Sequence, residues 1–327
     1  MVTNDTTAAV TTTTTGVKTD EKKQHFDDIY VCDTPVPYKL RILDELSYVS
    51  DDFNRQMFEA HIAPVFNSEA TQEDGSTPVP LWLTWKKGSR VVMKYVDLCS
   101  CFGNTTMACL HQMTYEDIRT NWSDTTRCQN IDKPRRDFEF VDPEDERGCT
   151  YPMDIQTTGI DISPQALAYG KSVGLYDTTI HCDLNDRTSD TFRAAKQAMA
   201  EANIVISTAS LVYLDLETIK ELIEAFATGD PKSEQGGTGM LLVNFLNPFA
   251  LEKADQTKRL LLDKLEFVAS RATRHRKMSQ LERTNYPDDG DWSLLELWVL
   301  RRRTSHYPVF NAETEKDPQK KRKTDAN

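Results

Sequence analysis

No apolar run in this chain approaches the roughly 20 residues needed to cross a bilayer. Its opening residues, MVTNDTTAAVTTTTTGVKTD, lack the charged-then-apolar order of a secretory signal. Neither a membrane role nor export is expected. Basic charge is also short: 39 Lys and Arg stand against 51 Asp and Glu, a formal net charge of −12. That balance argues against a phosphate-backbone partner, whose binding needs clustered cations. Paired cysteines at metal spacing are missing. Of the seven cysteines, Cys99 and Cys101 form CxC, but no second pair completes a zinc set. No metal is expected, and free thiols in a reducing compartment are. Glycine is missing where a dinucleotide-binding fingerprint requires it, since only Gly103 survives of a GxGxxG after the first strand.

The 327 residues and 39% hydrophobic content suffice for one folded domain with polar ends. Residues 1–27 are Thr-rich and read as a disordered tail, and residues 308–327 as a disordered charged tail. Residues 28–80 form a helical extension or lid that passes into a loop over 67–80. Leu40, Leu43 and Leu46, then Phe53, Met57, Phe58 and Ile62, repeat at helical spacing, and Ser50-Asp51-Asp52 resembles a helix start. The main domain covers 81–307, with an irregular insertion at about 123–153 that is rich in Asp, Glu, Arg and Pro.

Within that domain, strands and helices alternate. The run VVMKYVDLCSCFGNTT reads as strand, small-residue turn and helix, with Asp97 at the end of the strand. QTTGID ends in Asp161, and Ser163-Pro164 then opens a helix through about Ser172 as cap and first residue. TTIHCDL runs to Asp183 and Leu184, NIVIST is a fourth strand almost wholly apolar at its centre, and GMLLVNFL is a fifth. Residues 250–272 read as helix, and HRKMSQLE with SLLELWVLRR as a closing hairpin. The expected fold class is α/β, a Rossmann-like sheet with helices on both faces. It should be mostly parallel, with an antiparallel C-terminal edge strand and the N-terminal helical extension.

Three acids ending three successive strands resemble the class I S-adenosylmethionine-dependent methyltransferases. The first motif of that family is an acid followed by a Gly-rich turn; here it reads Asp97-Leu98-Cys99-Ser100-Cys101-Phe102-Gly103. The resemblance implies S-adenosyl-L-methionine as cofactor, with Asp97, Cys99, Cys101 and Gly103 in the turn. It assigns Asp161 to the ribose hydroxyls with Ile162 beside it, Asp183 and Leu184 to the adenine, and Ser207 to the segment facing the methyl group. Two departures stand out. Cysteines replace the usual glycines at 99 and 101, so either the turn keeps negative φ there or the ligand sits further off. Asp97 and Asp161 are also 64 positions apart, where a plain βαβ unit spans about 30 residues; the insertion accounts for the excess.

The expected activity is methyl transfer to a small-molecule acceptor. None of His61, His111, His181 and His275 has the local signature of a general base, which favours an amine or thioether over an alcohol. Tyr213, just after the fourth strand, is the pocket candidate; no catalytic residue is otherwise assigned. The place of an Asn/Asp-Pro-Pro-aromatic motif holds STASLVYL instead, which argues further against a nucleic-acid acceptor. The alternatives are a cofactor-binding regulatory protein without catalysis, or a nucleic-acid or protein methyltransferase. The expected location is cytoplasmic, with the Lys320–Lys323 cluster as a nuclear address the competing reading. Oligomeric state is not legible.

Overall fold

Val92–Leu98 (β1) alternates its side chains between two cores. Met93 and Tyr95 join the cluster that includes Phe58, Phe66 and Leu242, whereas Val96 and Leu98 join the one that includes Phe192, Leu222 and Phe226. A strand buried on both faces needs helices above and below it, which parallel crossovers supply. The computed structural model describes residues 26–66, 92–141, 150–229 and 239–303. Of the tail expected at 1–27, residues 1–25 lie outside the described residues and residue 27 already begins a helix; the tail expected at 308–327, the loop at 67–80 and the Lys320–Lys323 cluster also lie outside them.

After β1 come the helices Asn104–Leu110 (α5) and Tyr115–Asn121 (α6), then a small antiparallel ladder of Glu139–Val141 (β2) and Thr150–Pro152 (β3). The N-terminal extension supplies the earlier helices Asp27–Tyr30 (α1), Val36–Tyr38 (α2), Ser50–His61 (α3) and Ala63–Phe66 (α4), with a π-helical stretch at Lys39–Glu45. The main run continues as Asp154–Asp161 (β4), Pro164–Ser172 (α7), Thr178–His181 (β5), Asp190–Glu201 (α8), Ile204–Ser207 (β6), Leu216–Thr228 (α9) and Met240–Asn247 (β7). It closes with Leu251–Lys264 (α10), Leu265–Lys277 (β8), Gln280–Asn285 (α11) and Trp292–Arg302 (β9). Among the described residues no helix is long and apolar enough to cross a membrane.

The seven-stranded sheet has the order β5-β4-β1-β6-β7-β9-β8. Its first five places follow the doubly wound Rossmann pattern. β9 is antiparallel to both β7 and β8, so it alone runs against the others. The expected antiparallel C-terminal strand is therefore present, one place in from the edge. From β1 the chain winds outward through β4 and β5 on one side and through β6 and β7 on the other. The switch point, where such sheets open a crevice for ligands, lies between β1 and β6.

Several local expectations hold. Ser163 Oγ accepts from the Ala166 amide, with Pro164 at the first helical position. Others do not. The helix read over 250–272 stops at Lys264, and Leu265–Lys277 is strand because it pairs along the apolar β9. Local helix-favouring residues lose to that long ladder. The segment MSQLE is not strand but a helix start, in which Ser279 and Glu282 form a reciprocal capping box. The third strand stops at His181, two residues short of Asp183.

Candidate active site at the carboxyl edge

The turn after β1 alternates its backbone hand. Cys99 (φ 57°), Cys101 (φ 51°) and Gly103 (φ 83°) are all left-handed, a conformation that costs a side-chain-bearing residue roughly 1–2 kcal/mol. The two cysteines thus occupy glycine-like positions rather than moving the turn to negative φ. Hydrogen bonds hold it there. Ser100 N donates to the Ile160 carbonyl (3.0 Å), Gly103 N to the Ser100 carbonyl (2.9 Å), and Cys101 N to Asp161 Oδ2 (2.8 Å). Asp161 Oδ1 accepts from Ser163 N (2.8 Å), so one carboxylate joins the β1 turn to the start of α7. Burial raises the Asp161 carboxyl, opposed by the amides of Ser163, Cys101 and Ile162. Burial, with the Asp161 charge second, also pushes both thiols up. They are therefore poor nucleophiles or ligands, since the thiolate is the reactive form.

Asp97 lies beneath the turn, 2% exposed. Its Oδ2 accepts from Thr106 Oγ1 (2.6 Å) and Tyr176 Oη (2.8 Å). Burial outweighs these two hydrogen bonds and lifts the carboxyl to about 7. The Tyr176 side chain fits against three glycines. A Cβ on Gly103, Gly159 or Gly170 would come within 2.9 Å, 2.7 Å or 2.6 Å of a Tyr176 atom. Tyr176 is thus a positioning residue for Asp97. The sequence reading missed it, because a lone Tyr after a helix carries no local signal.

A buried polar layer runs from the extension to the sheet edge. Asp51, read from sequence as a helix-start acid, turns away from its own helix. It accepts from Asn104 Nδ2 (2.8 Å) and Thr105 Oγ1 (3.1 Å) at the start of α5. Thr105 Oγ1, its own proton given to Asp51, accepts from Thr208 Oγ1 (3.0 Å), just past β6, and Asn54 Nδ2 donates to that same Thr208 hydroxyl (3.2 Å). Asn244 Nδ2 then donates to Asn54 Oδ1 (3.0 Å). Burial raises Asp51 to about 6 against the hydrogen bonds of Asn104 and Thr105. At the other side, Ser50 Oγ and His275 Nδ1 lie 2.6 Å apart, with the imidazole edge-on to Tyr48. These partners are distant in sequence, so no spacing rule could have joined them.

Of the residues singled out from sequence, Asp97, Cys99, Cys101, Gly103 and Asp161 converge on the turn, with Ile162 next to Asp161 and 63% exposed. Asp183 is exposed and accepts from the Asn185 amide (3.0 Å). Leu184 is buried in the core beneath α8 and α9. The Ser207 hydroxyl is hydrogen-bonded to Ser210. Tyr213 sits on a short 3-10 turn, 39% exposed. The His111 ring bonds the Lys133 carbonyl (2.7 Å) and the His181 ring the Ile162 carbonyl (3.1 Å).

No protein-family model and no curated protein matches the sequence. Solved structures similar to the chain include a TehB-like SAM-dependent methyltransferase from Corynebacterium glutamicum. It is 9% identical at TM-score 0.32, over 66% of this chain and 83% of that one. Magnesium protoporphyrin IX methyltransferase from Synechocystis, with bound SAM, is 11% identical at TM-score 0.34, over 77% of this chain and 97% of that one. The CurJ carbon methyltransferase is 9% identical at TM-score 0.34, over 67% and 50%. The strand order described above, rather than these likenesses, establishes the fold as Rossmann-like.

Proposed function

We propose that this chain is a class I S-adenosylmethionine-dependent methyltransferase acting on a small-molecule acceptor, with an amine or thioether favoured over an alcohol. The observation that carries the reading is Asp161. It ends β4 beside the switch strand, and its carboxylate clamps the left-handed turn through Cys101 N. A carboxylate offers about four lone-pair positions, and the two backbone amides occupy one on each oxygen. The remaining pair suits two hydroxyl donors on adjacent ribose carbons, each hydrogen bond to a charged group contributing about 1.5–3 kcal/mol.

Ile162 offers an exposed apolar face next to that carboxylate, suited to a purine, with Asp183 beyond it. Leu184 is buried in the core and turns no exposed face toward the purine. The cofactor, when bound, supplies an already activated sulfonium methyl. The protein's part is alignment, which can contribute of order 7–11 kcal/mol. A neutral amine or a thioether needs no base before it attacks. That agrees with His111 and His181 being bound to carbonyls and His275 to Ser50. The net charge of −12 counts against a nucleic-acid acceptor.

Calorimetry of the full chain with S-adenosylhomocysteine tests the reading, and saturable binding is expected. Asp161→Ala should weaken it by about 100-fold or more, two charged hydrogen bonds' worth. It should also loosen the turn, since Cys101 N and Ser163 N lose their acceptor; near-UV circular dichroism reports that part separately. Absence of binding to the unaltered chain would sink the proposal. Binding without transfer of labelled methyl to any amine, thioether or alcohol offered would point to a regulatory protein.

A further inference from the structure

The N-terminal extension is tied directly to the residues around Asp161. The Ser163 hydroxyl, two residues past that acid, donates to the Tyr30 carbonyl at the end of α1 while accepting from the Ala166 amide (3.1 Å). The Tyr30 hydroxyl faces the turn itself: burial, then the charges of Cys101 and Asp161, push it up. Residues 26–31 thus form a strap beside the clamp between Asp161 and Cys101. The strap is latched elsewhere as well. Ile29, 2% exposed, packs in the core that holds Tyr38, Phe102 and Trp122. The guanidinium groups of Arg41 (5.7 Å) and Arg276 (5.4 Å) lie over the Phe26 ring, and Arg276 is fixed by two 2.7 Å hydrogen bonds to Glu282.

Two side chains flank the bond between Ser163 and Tyr30: Val31 on the strap and Ile162 at the sheet edge. They are 66% and 63% exposed, the two most exposed large apolar side chains among the described residues. Consecutive Cα atoms are about 3.8 Å apart, so each leaves the backbone one residue from the same hydrogen bond. Singly, exposed apolar residues need no explanation; a pair held together at the rim of a ligand cradle marks a surface that a ligand covers. We propose that Val31 and Ile162 are the two walls of a clamp for a planar purine, so that the extension contacts the cofactor directly; this rests on the cofactor reading above. Asp161, with lone pairs open to ribose hydroxyls, immediately precedes Ile162, so the base carried by that ribose falls on Ile162. A planar base has a second face to cover. Leu184 is 4% exposed and cannot cover it, and Asp183 is an exposed acid bound to the Asn185 amide (3.0 Å). Tyr213 is the rival wall, but it is joined to this rim only through its carbonyl and Asn185 Nδ2 (3.2 Å), whereas the strap is bonded to the residue next to Ile162. Val and Ile are also stiff at χ1, so two such walls lose little side-chain freedom when a ligand enters.

Calorimetry on the full chain, comparing S-adenosylhomocysteine with S-ribosylhomocysteine, tests this. The second ligand keeps the ribose and the amino-acid end and lacks the base. Val31→Ser should weaken S-adenosylhomocysteine about tenfold, the worth of the apolar area a valine covers, and leave S-ribosylhomocysteine unchanged. Val31→Ile, which keeps an apolar wall, should bind as the unaltered chain does. Val31 is largely exposed, so neither change should move the thermal midpoint. Unchanged S-adenosylhomocysteine affinity in Val31→Ser, or an equal loss for both ligands, overturns the proposal. So does a base-dependent loss in Tyr213→Ala that Val31→Ser does not share. A changed oligomeric state of Val31→Ser in sedimentation, with ligand affinity intact, would assign the pair to contact between copies and also overturn it. If S-adenosylhomocysteine binds and Val31→Ser leaves it untouched, the clamp fails while the cofactor reading stands. If S-adenosylhomocysteine does not bind but adenosine does, and Val31→Ser weakens adenosine, the clamp stands and the methyltransferase reading fails.

Discussion

Gly103→Ala should destabilise the folded protein by about 3 kcal/mol or more and detach Asp97 from its tyrosine. Two penalties add at this position. At φ 83° a side-chain-bearing residue pays roughly 1–2 kcal/mol for the left-handed backbone. The new Cβ would also stand 2.5 Å from Leu175 Cδ1 and 2.9 Å from Tyr176 Oη, and overpacking a filled core typically costs a further 1–3 kcal/mol. Leu175 and Tyr176 are both buried, so neither can swing into solvent. Urea unfolding monitored by fluorescence measures the loss.

Gly170→Ala separates the two terms. Its φ is not left-handed, yet its Cβ would meet the Tyr176 ring at 2.6 Å, so only the packing cost should appear, about 1–3 kcal/mol. If Gly170→Ala proves neutral while Gly103→Ala remains severe, backbone strain alone explains Gly103, and the tyrosine slot is not rigid. The same steric logic makes Tyr176 the element that sets how closely β4 and α7 pack beneath the turn.

Asp97→Asn should stabilise the protein at alkaline pH and leave it nearly unchanged in acid. Burial lifts the folded-state carboxyl to about 7, against about 3.9 in an unfolded chain. Below the unfolded value both states are protonated, and the buried acid is a neutral hydrogen-bonding group. As pH rises toward 7 the unfolded chain has released its proton while the folded chain retains it. Stability therefore falls with pH, up to about 4 kcal/mol once pH exceeds the folded value.

Asparagine cannot ionise, and its oxygen can accept from Thr106 Oγ1 and Tyr176 Oη as Asp97 Oδ2 does. Its amide lacks an assured acceptor, so a net gain of about 2–3 kcal/mol at pH 8 is expected. Asp51, raised to about 6 by burial, slopes in the same direction and persists in the variant. Denaturant melts of both proteins between pH 4.5 and 8 give the difference directly. A constant difference across that range would show that Asp97 does not titrate there.

How much of this was legible beforehand follows the range of the forces involved. The Ser163-Pro164 cap, the apolar centre of β6 and the strand-turn-helix around Gly103 are local. Their causes lie within a few residues, in φ preferences, capping hydrogen bonds and side-chain period. Asp97 and Asp161, at the ends of β1 and β4, were readable for the same reason, whereas Asp183 lies two residues past the end of β5. Locality also explains the errors at Leu265 and Met278–Glu282. There a helix-favouring run became strand because β9 offered it a ladder, and a run read as strand became a capped helix.

The composition and order of residues by themselves determined an α/β sheet with a turn of small residues after its first strand and acids at its strand ends. Tertiary structure alone decided what those acids face. It put Tyr176 under the turn to hold Asp97, clamped Cys101 to Asp161, and laid Asp51 across the start of α5. Each of these contacts joins residues 53 to 79 positions apart. A side chain's charge state and hydrogen-bond partners depend on burial by such distant neighbours, and no pattern along the chain carries that information.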